Sequence, residues 1–437
     1  MSSLSAMVEA SLGHREPVAV MLDDVLSDGL IRSVFQPIVD METHALFGFE
    51  ALSRGPAGSA LETPEALFAA ARAAGRLAEL DMACQRSALA GASDCGIEAP
   101  LTLFVNAEPD IGGFGPLPST GRGVRGVVEL TERTLTSRLA ELLPAVQRAR
   151  AAGWGIALDD VGADTRSLAL MPLLRPDVIK LDLRLVQAQP SPEIAAIAGA
   201  VGAQAERTGA TVLAEGVETK EQAQYARALG ATLGQGFFFG RPSRLCSVAN
   251  VTGIPLPIFT ASLPHPWRTP FDLASARRPV RHGTLPLLAS ISRELEHQAT
   301  RLRPTSLLIS SFPETEGFAA HIDSVYERLS SDLAFVAALA VGMEPKSGPG
   351  LRGVSIRDDD PLRGTWNVVV IGPHFAAMLA AREHRSVGAR RDTGYDFVFT
   401  YDRDIIVECA QALMLRIALA QEPEPPPSLA LRPASAG

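Results

Sequence analysis

The segment GIALDDVGAD, residues 155–164, sets two carboxylates, Asp159 and Asp160, side by side at the end of an apolar run. Adjacent like charges repel, and burying either one alone is costly. A solvated turn would accommodate the pair, and so would a cation held between its members. The pattern recurs along the first half of the chain. FGFEAL carries Glu50, LFVNAE carries Asn106, VVELTE carries Glu129 and Glu132, VIKLD carries Lys180, VLAEGVE carries Glu215 and Glu218, and LGQGFF carries Gln235. From Asn106 onward, positions 106, 129, 159, 180, 215 and 235 fall one to each strand–helix unit. A lone acid at a strand end is ordinarily a helix cap or turn residue. Several at equivalent ends of successive strands are not independent, and they point to one self-repelling cluster. Oxygen-rich ligand sets of this kind select hard cations such as Mg²⁺ or Mn²⁺.

Positioning such a cluster requires repeated strands that deliver their ends to one place. From about Ser33 to Pro242, short runs rich in Val, Ile and Leu read as strands: SVFQPIVD, LTLFVNAE, VRGVVELTE, WGIALDD, DVIKLD and ATVLAEG. Ala- and Leu-rich helical stretches separate them. One begins at Thr63 as N-cap with Pro64 at the first helical position; another runs from Ser191 to Gly209 with the same signals. Strands alternating with helices imply parallel pairing. In a barrel of βα units these strand ends share the C-terminal rim, where several strands jointly build an active site.

The 437-residue chain has room for two or three domains. The expected organisation is an N-terminal tail over 1–18, a barrel over 19–250, a Pro-rich linker over 251–284, a second α/β unit over 285–420 and a disordered tail over 421–437. Strand candidates in the second unit are SLLISSF, LAFVAALAV, WNVVVIG and YDFVFTY, and RDIIVECAQALMLRIALA reads as its last helix. The stretch WNVVVIGPHFAAMLAAREH reads as strand, tight turn and helix, with His374 at the helix start as a cap or packing residue. Asp358 to Asp360 read as a solvated turn. The net charge of −9 argues against binding nucleic-acid polymers through phosphate neutralisation. Cys84, Cys95, Cys246 and Cys409 form no CxxC pair, so neither a disulfide framework nor a cysteine zinc site is expected. Without a signal peptide or a membrane-length apolar run, the expectation is a cytoplasmic protein with no membrane partner.

The ordered motifs FQPIVDMETHALFGFEALSRG, FVNAE, VVELTE, ALDDVG, VIKLD, LAEGVET and GQGFFFGRP resemble the EAL family of cyclic di-GMP phosphodiesterases, over about Ala19 to Pro242. The resemblance implies a modified TIM-like (β/α) barrel whose first strand runs antiparallel to the rest. It implies that Glu50, Asn106, Glu129 and Asp159 hold one Mg²⁺ or Mn²⁺, with Asp159 bridging to a second beside Asp160 and near Glu215. Two cations clamp an in-line attack on phosphorus. Lys180 would stand beside the attacking water, either taking its proton or positioning it, and Gln235 would order the water and cations. Gln36 and Arg54 would contact the substrate beside Glu50. Glu132 and Glu218 match positions that support the loop and the site.

The chain departs from the family after the aspartate pair. Val161-Gly162-Ala163-Asp164 stands where the family has Phe-Gly-(Thr or Ala)-Gly, a loop that couples dimer contact to metal binding there. Asp164 reads as a turn residue. The closing segment, through VVVIGPHF and FVFTYDRDIIVECAQAL, resembles the DICT sensory domain. The implied protein is therefore a cyclic di-GMP phosphodiesterase yielding pGpG, set by its C-terminal sensor and forming a homodimer. A receptor that binds cyclic di-GMP without cleaving it is the alternative. An unrelated Mg²⁺ barrel acting on enolates is a third, which a substrate panel would separate.

Overall fold

Eight strands close a barrel in chain order: β1 (Arg32–Asp40), β2 (Leu46–Arg54), β3 (Thr102–Asn106), β4 (Arg125–Thr131), β5 (Gly155–Val161), β6 (Val178–Leu181), β7 (Thr211–Ala214) and β8 (Leu233–Gln235). The computed structural model describes residues 16–108, 123–245, 267–313, 321–346, 350–384 and 394–421, with scattered positions between 246 and 266. Strand β1 is antiparallel to both of its neighbours, β2 and β8, and the remaining pairs are parallel. The helices of this unit are α1 (Glu16–Ser27), α2 (Pro64–Ala73), α3 (Leu77–Cys95), α4 (Glu132–Ala151), α5 (Ser167–Leu174), α6 (Leu183–Gln187), α7 (Pro192–Thr208) and α8 (Lys220–Ala228). Thr63 caps α2 by accepting from Ala66 N, and Ser191 caps α7 by accepting from Ile194 N, each followed by a proline at the first helical position.

Inside the barrel, Ile38, Phe104, Val127, Ala157, Val178, Leu213 and Leu233 form a buried apolar floor. Side chains alternate across a strand with period two. The next inward residue on the parallel strands is therefore Asn106, Glu129, Asp159, Lys180, Glu215 and Gln235, and on the reversed β1 it is Gln36. The floor and the polar layer above it are one periodicity read at two heights.

The C-terminal unit contains α9 (Pro270–Ser275), β9 (Arg281–Thr284), α10 (Leu285–Arg301), β10 (Leu307–Phe312), a π-helical turn (Ile322–Tyr326), α11 (Glu327–Asp332), β11 (Phe335–Val341), β12 (Arg352–Ile356), β13 (Thr365–Ile371), β14 (Ala376–His384), β15 (Gly394–Thr400) and α12 (Arg403–Gln421). Its seven strands lie in the order β12-β11-β10-β13-β14-β15-β9. Helix α10 packs on one face, against Val368, Val370 and Leu379; α12 packs on the other, against Val369, Ile371 and Met378. Cover on both faces explains why these strands read as unbroken apolar runs. The segment 251–284, read as linker, contributes α9 and the edge strand β9.

Two expectations are corrected here. Residues 376–384 form a strand, not a helix: β14 pairs on one side with β13 and on the other with β15. The Ala, Leu and Met content favours a helix, but two-sided pairing in a buried sheet overrides propensity. His374 lies exposed in the intervening hairpin turn, where Gly372 N donates to Phe375 O at 2.8 Å. The acidic turn is also not wholly solvated, because Asp360 is buried and its carboxylate accepts from Arg416 Nε at 3.0 Å. Cys246 and the tail after 421 lie outside the described residues.

Helix α12 also packs on the outside of the barrel, against α4 and α5. Gln411 Nε2 donates to Leu173 O at 2.8 Å, and Arg352 Nη2 donates to Ser137 O at 2.9 Å. The apolar cluster is continuous across this junction, from Leu139, Leu143 and Leu170 to Ala410, Leu413 and Met414.

Candidate active site at the barrel rim

Lys180 is fully buried at the centre of the polar layer. Its Nζ lies 2.6 Å from Glu129 Oε1, 2.6 Å from Glu215 Oε1, 3.0 Å from Asp159 Oδ1 and 3.9 Å from Glu50 Oε2. One ammonium thus faces four carboxylates. Around it, Asn106 Nδ2 donates to Glu50 Oε1 at 3.0 Å. Gln235 Nε2 donates to Glu50 Oε2 and, at 3.1 Å, to Gln36 Oε1, while Gln36 Nε2 donates to Gly240 O.

The electrostatics follow from burial and that imbalance of charge. Desolvation opposes charging Lys180, but Asp159, Glu129, Glu215 and Glu50 outweigh it and hold the ammonium well above the ordinary lysine range. Burial pushes the Glu129 carboxyl up, and Glu50 pushes it further. Burial and then Asp159 do the same to Glu215. Glu50 goes the other way: burial works against its charge, but Lys180 and the amides of Gln235 and Asn106 prevail and lower it.

The adjacent aspartates reach the same space through a break in β5. Its register with β6 shifts between Leu158 and Val161, and Asp160 adopts φ +57°. A regular strand would send neighbouring side chains to opposite faces; the left-handed residue, which aspartate tolerates better than most, undoes that alternation. Asp159, Asp160 and Glu215 each bring an oxygen within 4.8 Å of the others. Burial, then Asp159 and Asp182, raise the Asp160 carboxyl.

The loop after Asp160 is held from below. The Glu132 carboxylate accepts from Gly162 N at 3.1 Å, from Asp164 N at 2.6 Å and from the Ser167 hydroxyl. Gly162 has φ +108°, and a Cβ there would meet Leu185 Cδ1 at 2.5 Å, so glycine is required. Asp164 pairs with Arg166 at 2.6 Å and accepts from Arg166 N, as a turn residue does.

The family model for the EAL domain matches residues 19–242, about half of the chain. The chain belongs to the EAL domain family. A second family model, the DICT "Sensory domain in DIguanylate Cyclases and Two-component system", matches residues 277–384. The Bacillus subtilis (strain 168) uncharacterized EAL-domain containing protein YkuI is 28% identical over 236 residues, covering 51% of this chain and 56% of that one. The Pseudomonas aeruginosa cyclic di-GMP phosphodiesterase RocR is 37% identical over 115 residues, covering 26% of this chain and 29% of that one. The probable cyclic di-GMP phosphodiesterase PdeB of Escherichia coli (strain K12) is 27% identical over 231 residues, covering 50% and 44%. This chain therefore spans little more than half of these relatives' lengths at most. Among solved structures, a Klebsiella pneumoniae BlrP1 calcium/cy-diGMP complex is 30% identical, with TM-score 0.44, covering 49% of this chain and 56% of that one.

Within the EAL barrel, the rim gathers Gln36, Glu50, Asn106, Glu129, Asp159, Asp160, Lys180, Glu215 and Gln235, with Glu132 beneath its loop. Arg54 stands at the end of β2, half-buried, with Nη1 donating to Ser53 O at 2.8 Å. Glu218 is not gathered in. It is exposed just before α8, its backbone N–H donated to Gln222 Oε1 at 2.7 Å. Two participants escaped the sequence reading. Ser167 is fully buried against Glu132. Asp81, on the buried face of α3, accepts from Glu108 N at 3.1 Å, two residues past Asn106, and burial raises its carboxyl to about 7. A signal for Asp81 did exist: an acid in helical register with Cys84, Ala88 and Ala92 sits on the buried face of the helix, with only Gln85, which donates to it at 2.8 Å, as polar company.

The donor set fits divalent cations. Glu129 Oε2 and Gln235 Oε1 are buried without a hydrogen-bond partner, while Glu129 Oε1 faces the Lys180 ammonium at 2.6 Å. Buried oxygens in excess of available protons and cations are what a hard metal ion would satisfy.

Proposed function

We propose that the EAL barrel is a metal-dependent phosphodiesterase that hydrolyses cyclic di-GMP to linear pGpG, with the DICT unit setting its rate. The gathering of four rim carboxylates around a single buried lysine, with Asp160 beside two of them, is the observation that supports it. Relatives named cyclic di-GMP phosphodiesterases supply the substrate class. Glu50, Asn106, Glu129 and Asp159 would hold one Mg²⁺ or Mn²⁺, and Asp159, Asp160 and Glu215 would offer oxygens to a second. The bound cations would stabilise charge on the phosphoryl oxygens and acidify an attacking water. Water adds to phosphorus, the P–O3′ bond breaks, and O3′ leaves with a proton to give the 5′-phosphate of pGpG.

The chain's own groups prepare that attack. Lys180, kept as an ammonium by its acids, donates toward the space they share and orients the water. Gln235 bridges Glu50 and Gln36, tying the cation side of the site to the substrate side. Arg54 presents the planar fork of donors that suits a phosphate. The homodimer implied by the family and the cytoplasmic setting expected from the sequence accompany this reading; among the described residues no helix is long and apolar enough to cross a membrane.

Regulation has a physical route. Helix α12 of the C-terminal unit lies on α4 and α5. Glu132 opens α4 and Ser167 opens α5, and these two residues grip the loop that follows Asp160. A shift of α12 would therefore move the support of two metal-facing acids.

The test is incubation of the full chain with cyclic di-GMP and Mg²⁺ or Mn²⁺, with products resolved by chromatography, alongside Glu50→Ala. Metal-dependent pGpG from the native protein and none from the variant is the expected result. Nucleotide binding without product would make the barrel a receptor, and near-native turnover by Glu50→Ala would overturn the site assignment.

A further inference from the structure

A second cluster of ligating groups lies far from the barrel rim in sequence, on the C-terminal sheet. Strands β14, β15 and β9 are adjacent at its edge. Asp396 on β15 is directly opposite His282 on β9 and Arg382 on β14. His384 is two residues beyond Arg382, so it shares Arg382's face by strand alternation and stands diagonal to Asp396. Three neighbouring strands thus deliver two imidazoles and a carboxylate to one face.

The side chains converge. His282 Nδ1 lies 2.6 Å from Asp396 Oδ1, and His384 Nδ1 lies 3.1 Å from the same oxygen. The rings are edge to face with centroids 5.5 Å apart. All three groups can present one ligand atom within 4.8 Å of the other two. Asp396 Oδ1 is buried and has no hydrogen-bond partner, although both nitrogens are near. Neither ring meets it along a hydrogen-bond direction, so simple His–Asp pairing does not account for the arrangement. Arg382 approaches the other oxygen, Oδ2, at 3.8 Å, while its guanidinium stacks on Phe271 at 4.4 Å. That leaves Oδ1 between the histidines.

We propose that His282, His384 and Asp396 form a site for a divalent transition-metal ion of the zinc type. Two imidazoles and one carboxylate suit Zn²⁺, and the exposed histidines leave a further position open to water or a ligand. The chemistry differs from that of the barrel rim, whose all-oxygen acids and amides favour Mg²⁺ or Mn²⁺. The site also has a structural consequence. Strand β9 is four residues long and mostly exposed, so it is held to the sheet edge by little burial. A metal bridging β9 to β14 and β15 would fasten it, and β9 runs directly into α10.

The experiment is Zn²⁺ titration of the untagged full chain by calorimetry, in excess Mg²⁺ to occupy the barrel oxygens. His282→Ala, His384→Ala and Glu50→Ala are run in parallel. Amide exchange over 281–284 is followed with and without Zn²⁺. The expected result is one Zn²⁺ equivalent that Glu50→Ala keeps, that each histidine variant weakens by about tenfold or more, and that slows exchange in β9. Zinc binding unchanged in both histidine variants, or no zinc bound above excess Mg²⁺, would overturn the proposal. Because Glu50→Ala disables only the barrel, loss of phosphodiesterase function and loss of this site are read separately.

Discussion

Lys180 is the residue on which the proposed chemistry and the stability of the rim both depend. Removing one partner from a buried ion cluster leaves uncompensated charge and costs about 3–5 kcal/mol. Lys180→Ala is therefore expected to lower the melting temperature of the metal-free protein. Added Mn²⁺ should restore more of that stability in the variant than it adds to the native chain, as thermal unfolding with and without Mn²⁺ would report. Turnover should fall roughly 10²–10⁴-fold, with KM changed far less, because a group that orients the attacking water acts in the transition state. Equal losses in kcat and affinity would make Lys180 a binding residue. At this scale the sequence was highly legible. On every barrel strand but β2 the inward polar residue stands two positions from a floor residue, and residue types survive folding unchanged. What was not legible was Glu218, which an ordered motif placed among the site residues but which stands in solvent beside the capping box of Thr219 and Gln222. Its exposure just before α8 is a property of the local turn, and motif spacing carries no information about that.

At the scale of elements, the supports of the site carry the predictions. Glu132 stands at the start of α4 and holds the loop of the next unit through two backbone N–H groups and the Ser167 hydroxyl. Glu132→Gln keeps the shape but offers an amide N–H₂ to groups that donate. It should cost about 1–3 kcal/mol of stability and lower Mn²⁺ affinity roughly 10–100-fold, measured by unfolding and by metal titration. Helix α3 supplies a pH dependence. Burial raises Asp81 to about 7. The folded chain then keeps a proton between about pH 4 and that value, which the unfolded chain has released. Stability contributed by this group is present at low pH and is lost as pH rises through about 7. Asp81→Asn should flatten that loss, leaving the variant more stable than the native protein at pH 8 by an amount on the order of 2–4 kcal/mol, with little difference near pH 4. Denaturant midpoints at the two pH values check it. Elements were less legible than residues where pairing opposed propensity. The strand over 376–384 looks helical in AAMLAAREH, and its neighbours β13 and β15 alone make it extended. The four-residue β9 is too short and too polar to declare itself, and its partner β15 lies more than a hundred residues downstream.

For the whole molecule, the continuous apolar contact between α12 and the barrel is the feature that makes regulation testable. Gln411 is buried at that contact, and its amide donates to Leu173 O. Gln411→Glu turns the donor into a buried acceptor facing a carbonyl. It should change basal turnover of the full chain severalfold while the rim residues stay in place, with unchanged Mn²⁺ stoichiometry as the control. Turnover identical to the native protein would mean that this contact does not set the rate. The sequence divided the chain into two α/β units but was silent on how they meet, because an apolar helix face does not name its partner. That face has a consequence for the birth of the protein. Helices α4 and α5 are synthesised early, and the helix that covers them is the last element of the described chain, more than two hundred residues later. At ribosomal speeds of about 5–20 residues per second, the barrel waits roughly 10–40 s with that face bare. During that interval the nascent chain is open to holding chaperones, and a ribosome that stops short of α12 releases a barrel carrying an uncovered apolar surface.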